Sequence, residues 1–204
     1  MTGRRGPRRG SLIAGAAVVV SVALTGCSGL QGTEDANFVT GAGSIVPIPE
    51  SERPAPLDFT GTSLGDEPID VTDYRGEVVV VNFWGSWCNP CRAEMPMLRE
   101  ASENLDAEFL GVLVRDESAD DARAFEREFG ITYPTIADST DALLNLGRYA
   151  PQSPPSTVVL DREGRVAVLI NGEIPSAGTL EDVITDVIAE SSESPESGDG
   201  GTGG

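Results

Sequence analysis

An α/β domain with a mixed central sheet and helices on both faces is the fold this sequence predicts, on three grounds. Val78–Trp84, "VVVVNFW", is an apolar run with a single Asn, the composition of a central strand buried on both faces. Beyond it, apolar strand-like runs alternate with stretches that carry the capping punctuation of helices. Toward the end, "STVVLDREGRVAVLING" places two β-rich runs around a polar turn. Strand, helix and strand followed by a hairpin and a covering helix build a mixed sheet.

The first strand leads into a helix that begins at Cys88-Asn89-Pro90-Cys91 and runs to about Asn104, with Pro96 inside it as a kink. Glu108–Arg115, "EFLGVLVR", is the next strand. Ser118, with Asp121 three residues later, caps a helix that reaches Phe129 and is ended by Gly130. "DALLNLGR" reads as a short helix. The hairpin strands are Thr157–Leu160 and Val166–Ile170, turning at Asp161–Gly164, and Thr179 with Asp182 caps a last helix to about Glu190.

With 204 residues, 39% of them hydrophobic, the chain has room for one domain of ordinary size and flexible ends. Its start, "MTGRRGPRRGSLIAGAAVVVSVALTGCSGL", carries Arg4, Arg5, Arg8 and Arg9, an apolar core from about Leu12 to Leu24, and then Leu24-Thr25-Gly26-Cys27. This is the pattern of an export signal, too short and too rich in small residues for a comfortable permanent span. The last four residues resemble a bacterial lipobox. That resemblance implies removal of residues 1–26 and acylation of Cys27, so that acyl chains hold the protein on the extracytoplasmic face of the cell membrane. A plain signal peptide or an anchoring helix with an incidental Cys27 are the alternatives, and both also place the remaining chain outside the cytoplasm. Arg8-Arg9 is a weak match to twin-arginine export, because Gly10 and Ser11 follow it. Residues 27–52, rich in Gly, Ser, Pro and acid, read as a flexible tether whose Phe38–Ile48 stretch is the part able to dock on the domain. The domain is assigned to residues 53–190, and residues 191–204, "SSESPESGDGGTGG", to a disordered acidic Gly/Ser-rich tail.

Composition excludes several classes of function. The formal charge is -19 and all 14 basic residues are arginines, so a polyanion such as nucleic acid is repelled rather than gathered. Loss of residues 1–26 removes four of those arginines and no acid, leaving about -23. Such a charge keeps a tethered domain soluble and off an anionic lipid surface. Without His there is no Ser/His/Asp triad and no imidazole metal site, and without Lys there is no Schiff base and no phosphate-loop lysine. The chemistry is left to cysteine, carboxylates, the backbone or a bound cofactor.

Four readings compete for Cys88 and Cys91. A structural zinc site needs four ligands, and the chain has neither a second CxxC nor a His. A purely structural disulfide across two residues constrains few unfolded conformations. Haem attachment requires a His after the second Cys, where Arg92 stands. A redox-active dithiol remains, and the position favours it. A sulfur at a helix N-terminus meets free N–H groups and the positive end of the macrodipole, which lower its pKa and make Cys88 the exposed nucleophile. Cys91 lies about one turn on, where its thiol can attack a mixed disulfide formed at Cys88. Pro90 suits a first helical turn and Asn89 adds no charge. No metal and no cofactor other than the Cys88–Cys91 disulfide is expected.

"VVVVNFWGSWCNPCRAEMPML", followed by "GITYPTIAD" and "SPPSTVVLDREGRV", resembles the TlpA/ResA-like thiol-disulfide oxidoreductases, extracytoplasmic members of the thioredoxin fold. The resemblance spans about Pro54 to Ala189. It implies a thioredoxin-like fold in which Trp87 flanks the active site, Cys88 attacks, Cys91 resolves, and Pro155 is a cis-proline facing the dithiol. Asn89 and Pro90 then join Trp87, Pro154 and Pro155 in the client-binding surface. Two departures from cytoplasmic thioredoxin stand out. Asn82 occupies the place of a buried acid and cannot shuttle a proton; Glu94, in a "CRAEMPML" block matching the CxxExPxL form of ResA-like proteins, takes that role instead. Read bottom-up, Glu94 is also compatible with a solvated acid near a helix start. Pro154, ahead of the cis-proline, has a carbonyl but no N–H, so one of two hydrogen bonds to a client backbone is lost.

The function expected is therefore that of a membrane-tethered, extracytoplasmic oxidoreductase that reduces disulfides in exported protein clients. An apocytochrome c CxxC is the leading specific client, with electrons supplied by a membrane dithiol donor. The absence of a His between the cysteines favours reduction over oxidation only weakly. A thiol peroxidase on the same scaffold is a rival, although Gly85 stands where a Thr-x-x-Cys motif needs Thr. A non-catalytic binding module is the other.

Overall fold

The computed structural model describes residues 43–193; the signal segment, Cys27, the start of the tether and the tail from residue 194 lie outside the described residues. The strands are β1 (Ser44–Pro47), β2 (Thr60–Thr62), β3 (Pro68–Asp70), β4 (Val79–Trp84), β5 (Glu108–Leu113), β6 (Thr135–Ile136), β7 (Ser156–Leu160) and β8 (Val166–Asn171). The helices are α1 (Asn89–Asn104), α2 (Ala119–Phe129), α3 (Thr140–Leu146) and α4 (Ala177–Glu193). Six strands form one sheet in the order β1-β8-β7-β4-β5-β6, and β2 and β3 form a separate ribbon. β4, β5 and β6 run parallel, whereas β7, β8 and β1 add antiparallel pairings, so the sheet is mixed as expected.

β4 lies at the centre because it is apolar toward both faces, and all six of its residues are buried. Val79, Val81 and Phe83 point to one face, where they pack with Leu110 and Val112 of β5, Phe59 from the segment before β4, and Ala142 and Leu146 of α3. Val80 and Trp84 point to the other, packed by Met95, Leu98, Phe125, Leu180 and Ile184 from α1, α2 and α4. The alternation of side chains along the pleat thus supplies both layers of core from one strand. Ser118 Oγ accepts from the Asp120 and Asp121 N–H groups at 3.2 and 3.4 Å, and Gly130, at φ 67°, closes α2 in the left-handed region.

Three boundaries are corrected. Residues 27–52 are not all tether, because Ser44–Pro47 pairs with Val168–Asn171 as the edge strand of the sheet. Ile45 packs on the core and Ile48 is buried, which supplies the apolar burial that holds this segment in place. The last helix opens at Ala177 rather than at Thr179, since Ser176 Oγ accepts from the Thr179 N–H at 3.1 Å and acts as its cap. It also continues beyond Glu190 to Glu193, into the stretch assigned to the tail.

The domain's N-terminal segment is locked down electrostatically as well. Asp161, fully buried at the hairpin turn, accepts from Arg53 Nη1 at 3.1 Å and from Arg165 Nε and the Arg165 N–H at 2.8 Å each. Arg53 also pairs with Glu190 of α4. Removing the shared acid strands the nearly buried Arg53 guanidinium without its buried partner, so Asp161→Ala is expected to cost about 3 kcal/mol. Urea unfolding checks it, and a midpoint within error of the parent's would refute the structural role.

Candidate active site

β4 ends at Trp84, and the four residues Gly85–Cys88 turn the chain into α1, whose N-cap is Cys88. Ser86 fixes the turn: its N–H and hydroxyl both bond the Asp116 carboxylate, at 2.7 and 2.9 Å. Trp87 is 54% exposed, and its indole N–H donates to the Arg115 carbonyl at 3.1 Å. The indole lies where a Gly85 side chain would be, since a Cβ there would stand 2.7 Å from Trp87 Nε1. Any residue larger than glycine at position 85 therefore displaces Trp87. This gives a steric reason for Gly85 in place of the threonine a peroxidase motif requires.

Cys88 and Cys91 are joined as a disulfide. Cys88 Sγ occupies the position of an N-cap oxygen and accepts from the Cys91 N–H at 3.3 Å, while the first turn of α1 contains no acidic residue. Pro90 sits in that first turn, as expected. An unscreened helix end aimed at one sulfur is what favours its thiolate. Neither cysteine is open, however. Cys88 is 3% exposed and Cys91 0%, so the expected exposed nucleophile is covered in the oxidised state and only its edge reaches the surface.

Glu94 is fully buried on α1, one turn beyond Cys91. Its Oε1 accepts from the Ile174 N–H, in the loop between β8 and α4, and its Oε2 has no hydrogen-bond partner among the described residues. Burial pushes its pKa up to about 7, against the opposing Ile174 hydrogen bond and with a smaller upward contribution from Glu173. The solvated alternative for Glu94 is thereby replaced by a buried, titratable carboxyl. Asn82 is also buried, on the β4 face that α1 covers; its Nδ2 donates to Thr157 Oγ1 at 3.1 Å and its Oδ1 has no partner among the described residues.

Pro154-Pro155 is a cis peptide bond at the start of β7. Ser156 pairs with Phe83, so Pro155 lies level with the carboxyl end of β4, the end from which the cysteines emerge. The Pro155 carbonyl accepts from the Gly172 N–H at 3.1 Å, linking this segment to the loop that holds Glu94. Sequence reasoning missed Asp116, Arg115 and Ile174. Asp116 and Arg115 follow β5 without a recognisable motif, and Ile174 acts through its backbone N–H, which no side-chain pattern marks. Cys27 lies outside the described residues. Among those residues no group of three or more Cys, Asp or Glu side chains could hold a metal ion.

Comparison with known proteins agrees with this geometry. The AhpC/TSA family model matches residues 52–169. Thiol-disulfide oxidoreductase ResA of Geobacillus thermodenitrificans is 36% identical over 129 residues, 62% of this chain and 70% of that protein. A DsbF homologue from Corynebacterium diphtheriae superposes with a TM-score of 0.65 at 34% identity, covering 70% of this chain and 92% of that one. A secreted thiol-disulfide isomerase from Corynebacterium glutamicum gives a TM-score of 0.64 at 30% identity, covering 71% and 92%. The fold is thus thioredoxin-like, and the Cys88–Cys91 pair is the redox centre of a thiol-disulfide oxidoreductase. The chain belongs to the AhpC/TSA family and, within it, to the ResA-like thiol-disulfide oxidoreductases.

Proposed function

We propose that the protein is a lipid-anchored, extracytoplasmic reductase of disulfides in exported protein clients, with Cys88 as the attacking thiol and Cys91 as the resolving thiol. The observation that carries the exchange chemistry is the Cys88 sulfur at the N-cap of α1 with the buried Glu94 carboxyl one turn beyond Cys91. Cys88 thiolate attacks a client disulfide, one client sulfur leaves as a thiol, and Cys91 then releases the other by closing the Cys88–Cys91 bond. Glu94 supplies or accepts the proton of the Cys91 thiol, a role open to a carboxyl with a pKa of about 7 and closed to Asn82. Trp87, Asn89, Pro90, Pro154 and Pro155 form the rim against which the client lies. A membrane dithiol donor restores the reduced state.

Reduction is preferred because Asn89-Pro90 places no cation between the cysteines to stabilise the thiolate further. Apocytochrome c is the specific client we favour, since its CxxC must be reduced before haem is attached. The secreted character of the Corynebacterium glutamicum relative and the Leu24-Thr25-Gly26-Cys27 pattern support the location. Cells expressing a Cys91→Ala variant should accumulate mixed disulfides between Cys88 and its clients, identifiable by mass. Recovery of no disulfide-linked client, against a Cys88→Ala control, would remove the reductase reading. The intact mass of membrane-extracted protein should show residues 1–26 absent and acyl chains added, with Cys27→Ala lost from the membrane fraction; an unprocessed N-terminus sinks the anchor.

The AhpC/TSA family match favours a second reading, peroxide reduction at Cys88. Gly85, held free of a side chain by the Trp87 indole, argues against it. Rapid second-order consumption of peroxide by the reduced protein would revive it.

A further inference from the structure

A small cavity of about 80 Å³ opens beside the client rim, on the sheet face opposite α1. Its walls include Phe83, Val114, Leu143, Pro151 and Pro154, and Arg115 lines it. Four features set it apart. Apolar side chains dominate these walls, and α3 contributes Leu143, so it is separate from the surface formed by Trp87, Asn89 and Pro90. Arg115 is exposed, and among the described residues its guanidinium has no hydrogen-bond or ion-pair partner, in a chain of formal charge -19. The nearest acid in sequence, Asp116, is already engaged by the Ser86 N–H and hydroxyl. Finally, Arg115 has φ 49°, a left-handed conformation that a long side chain adopts at a cost, and its carbonyl holds the Trp87 indole.

We propose that this cavity is a client subsite that takes one aliphatic side chain flanking the client cysteine, with Arg115 pairing to a carboxylate next to it. The inference rests on the exchange reading above. The chemistry of Pro154 gives it a reason: lacking an N–H, this residue offers the client backbone only its carbonyl, so one of two backbone hydrogen bonds is lost and side-chain contacts take its place. An apolar pocket and a free cation at the same rim supply side-chain recognition there. The occupant is a polypeptide with an acidic and aliphatic sequence around its cysteine. The acidic protein repels such a client in general, and at this rim Arg115 attracts it, which turns charge into register.

The test uses the Cys91→Ala protein and synthetic peptides whose single cysteine is a mixed disulfide with 5-thio-2-nitrobenzoate. Cys88 thiolate attacks the peptide sulfur, the Cys88–peptide disulfide forms, and the aromatic thiolate leaves with the electron pair; the leaving group is common to all peptides. Four peptides carry Leu or Gly on one side of the cysteine and Glu or Lys on the other. The Leu/Glu peptide should react fastest, with Glu favoured over Lys by about 3- to 10-fold at low salt and less at high salt. Leu should be favoured over Gly by about 10-fold, the yield of burying a few methylenes. Arg115→Gln should bring the Glu/Lys ratio to about 1 or below while keeping the Leu/Gly ratio, and Arg115→Lys should restore most of it. Leu143→Trp, which fills the cavity, should erase the Leu/Gly ratio and keep the Glu/Lys ratio.

Because each ratio is measured within one protein, a general loss of activity or partial unfolding cancels. Equal rates for all four peptides on the Cys91→Ala protein, or ratios unmoved by Arg115→Gln and Leu143→Trp, would overturn the subsite and leave disulfide exchange intact. Release of no aromatic thiolate from any peptide would remove both the subsite and the exchange reading on which it rests.

Discussion

Cys88→Ser is expected to lower disulfide exchange by on the order of 10³-fold or more, since Cys91 is fully buried and lacks the helix-end position that makes Cys88 the attacking thiolate. Cys91→Ala should keep the first step and stall at the adduct. The asymmetry comes from the backbone. Only the Cys88 sulfur stands at the start of α1, where the Cys91 N–H points at it from 3.3 Å and no acid in the first turn offsets the helix end. Cys91 is fully buried, three residues into the chain of helical hydrogen bonds, and receives no such stabilisation. The reduced protein treated with limiting alkylating reagent should therefore carry the label on Cys88 first. Peptide mapping reads the result; preferential labelling of Cys91, or parent-like exchange by Cys88→Ser, would falsify the assignment.

Those roles could be read in the sequence because they are local. A CxxC after a buried strand, with proline in the first turn, fixes the relation of two sulfurs to a helix end within a few residues. β4 was legible for a related reason: a strand buried on both faces loses its alternation and becomes a run of Val and Phe that few other structures can use. The hairpin and the Ser118 cap are also local signals. β1 was not legible, because Ser44–Pro47 is a short edge strand amid Gly and Pro, and half its backbone groups face away from the sheet. What makes it a strand is β8, which is more than 100 residues distant in the chain. The β2–β3 ribbon was missed likewise, being only three residues on each side.

The same distinction divides the site. Glu94 was marked by its motif, but whether it was solvated or buried depended on Ile174, whose N–H comes from a loop 80 residues away. Asn82 was seen to lack a titratable proton, yet its partner Thr157 belongs to another strand. The exposure of Cys88 was misjudged for this reason too. A helix start is an open position by itself, and it is the surrounding core, to which Leu64 and Trp84 contribute, that closes over the oxidised pair. Nothing near Arg115 in the sequence distinguishes it from the other arginines; its significance lies in its place on the wall of the small cavity without a partner among the described residues, which only the folded surface reveals.

Glu94→Gln is expected to slow exchange by about 10-fold or more while leaving the fold intact, and to remove one ionisation near pH 7 from the rate profile. Gln retains the size of the side chain and an oxygen to accept from the Ile174 N–H, so what it loses is the proton. Stability gives an independent measure. Burial raises the Glu94 pKa from 4.5 to about 7, with the Glu173 charge adding to the rise, so between those values the folded chain keeps a proton that the unfolded chain has released. Folding then binds protons, and stability falls as pH rises from about 5 through 7, by on the order of 3 kcal/mol once Glu94 is fully ionised. Tyr133, whose own pKa is raised chiefly by burial and in part by the Glu126 and Glu94 charges, stays protonated throughout this range. In urea unfolding the parent should lose stability relative to Glu94→Gln steadily from about pH 4.5, with the gap half open near pH 6 and levelling off above about pH 7. Parallel stability curves for the two proteins, together with an unchanged rate profile, would mean that Glu94 titrates as an ordinary surface acid, and the proton of Cys91 would then have to pass through water.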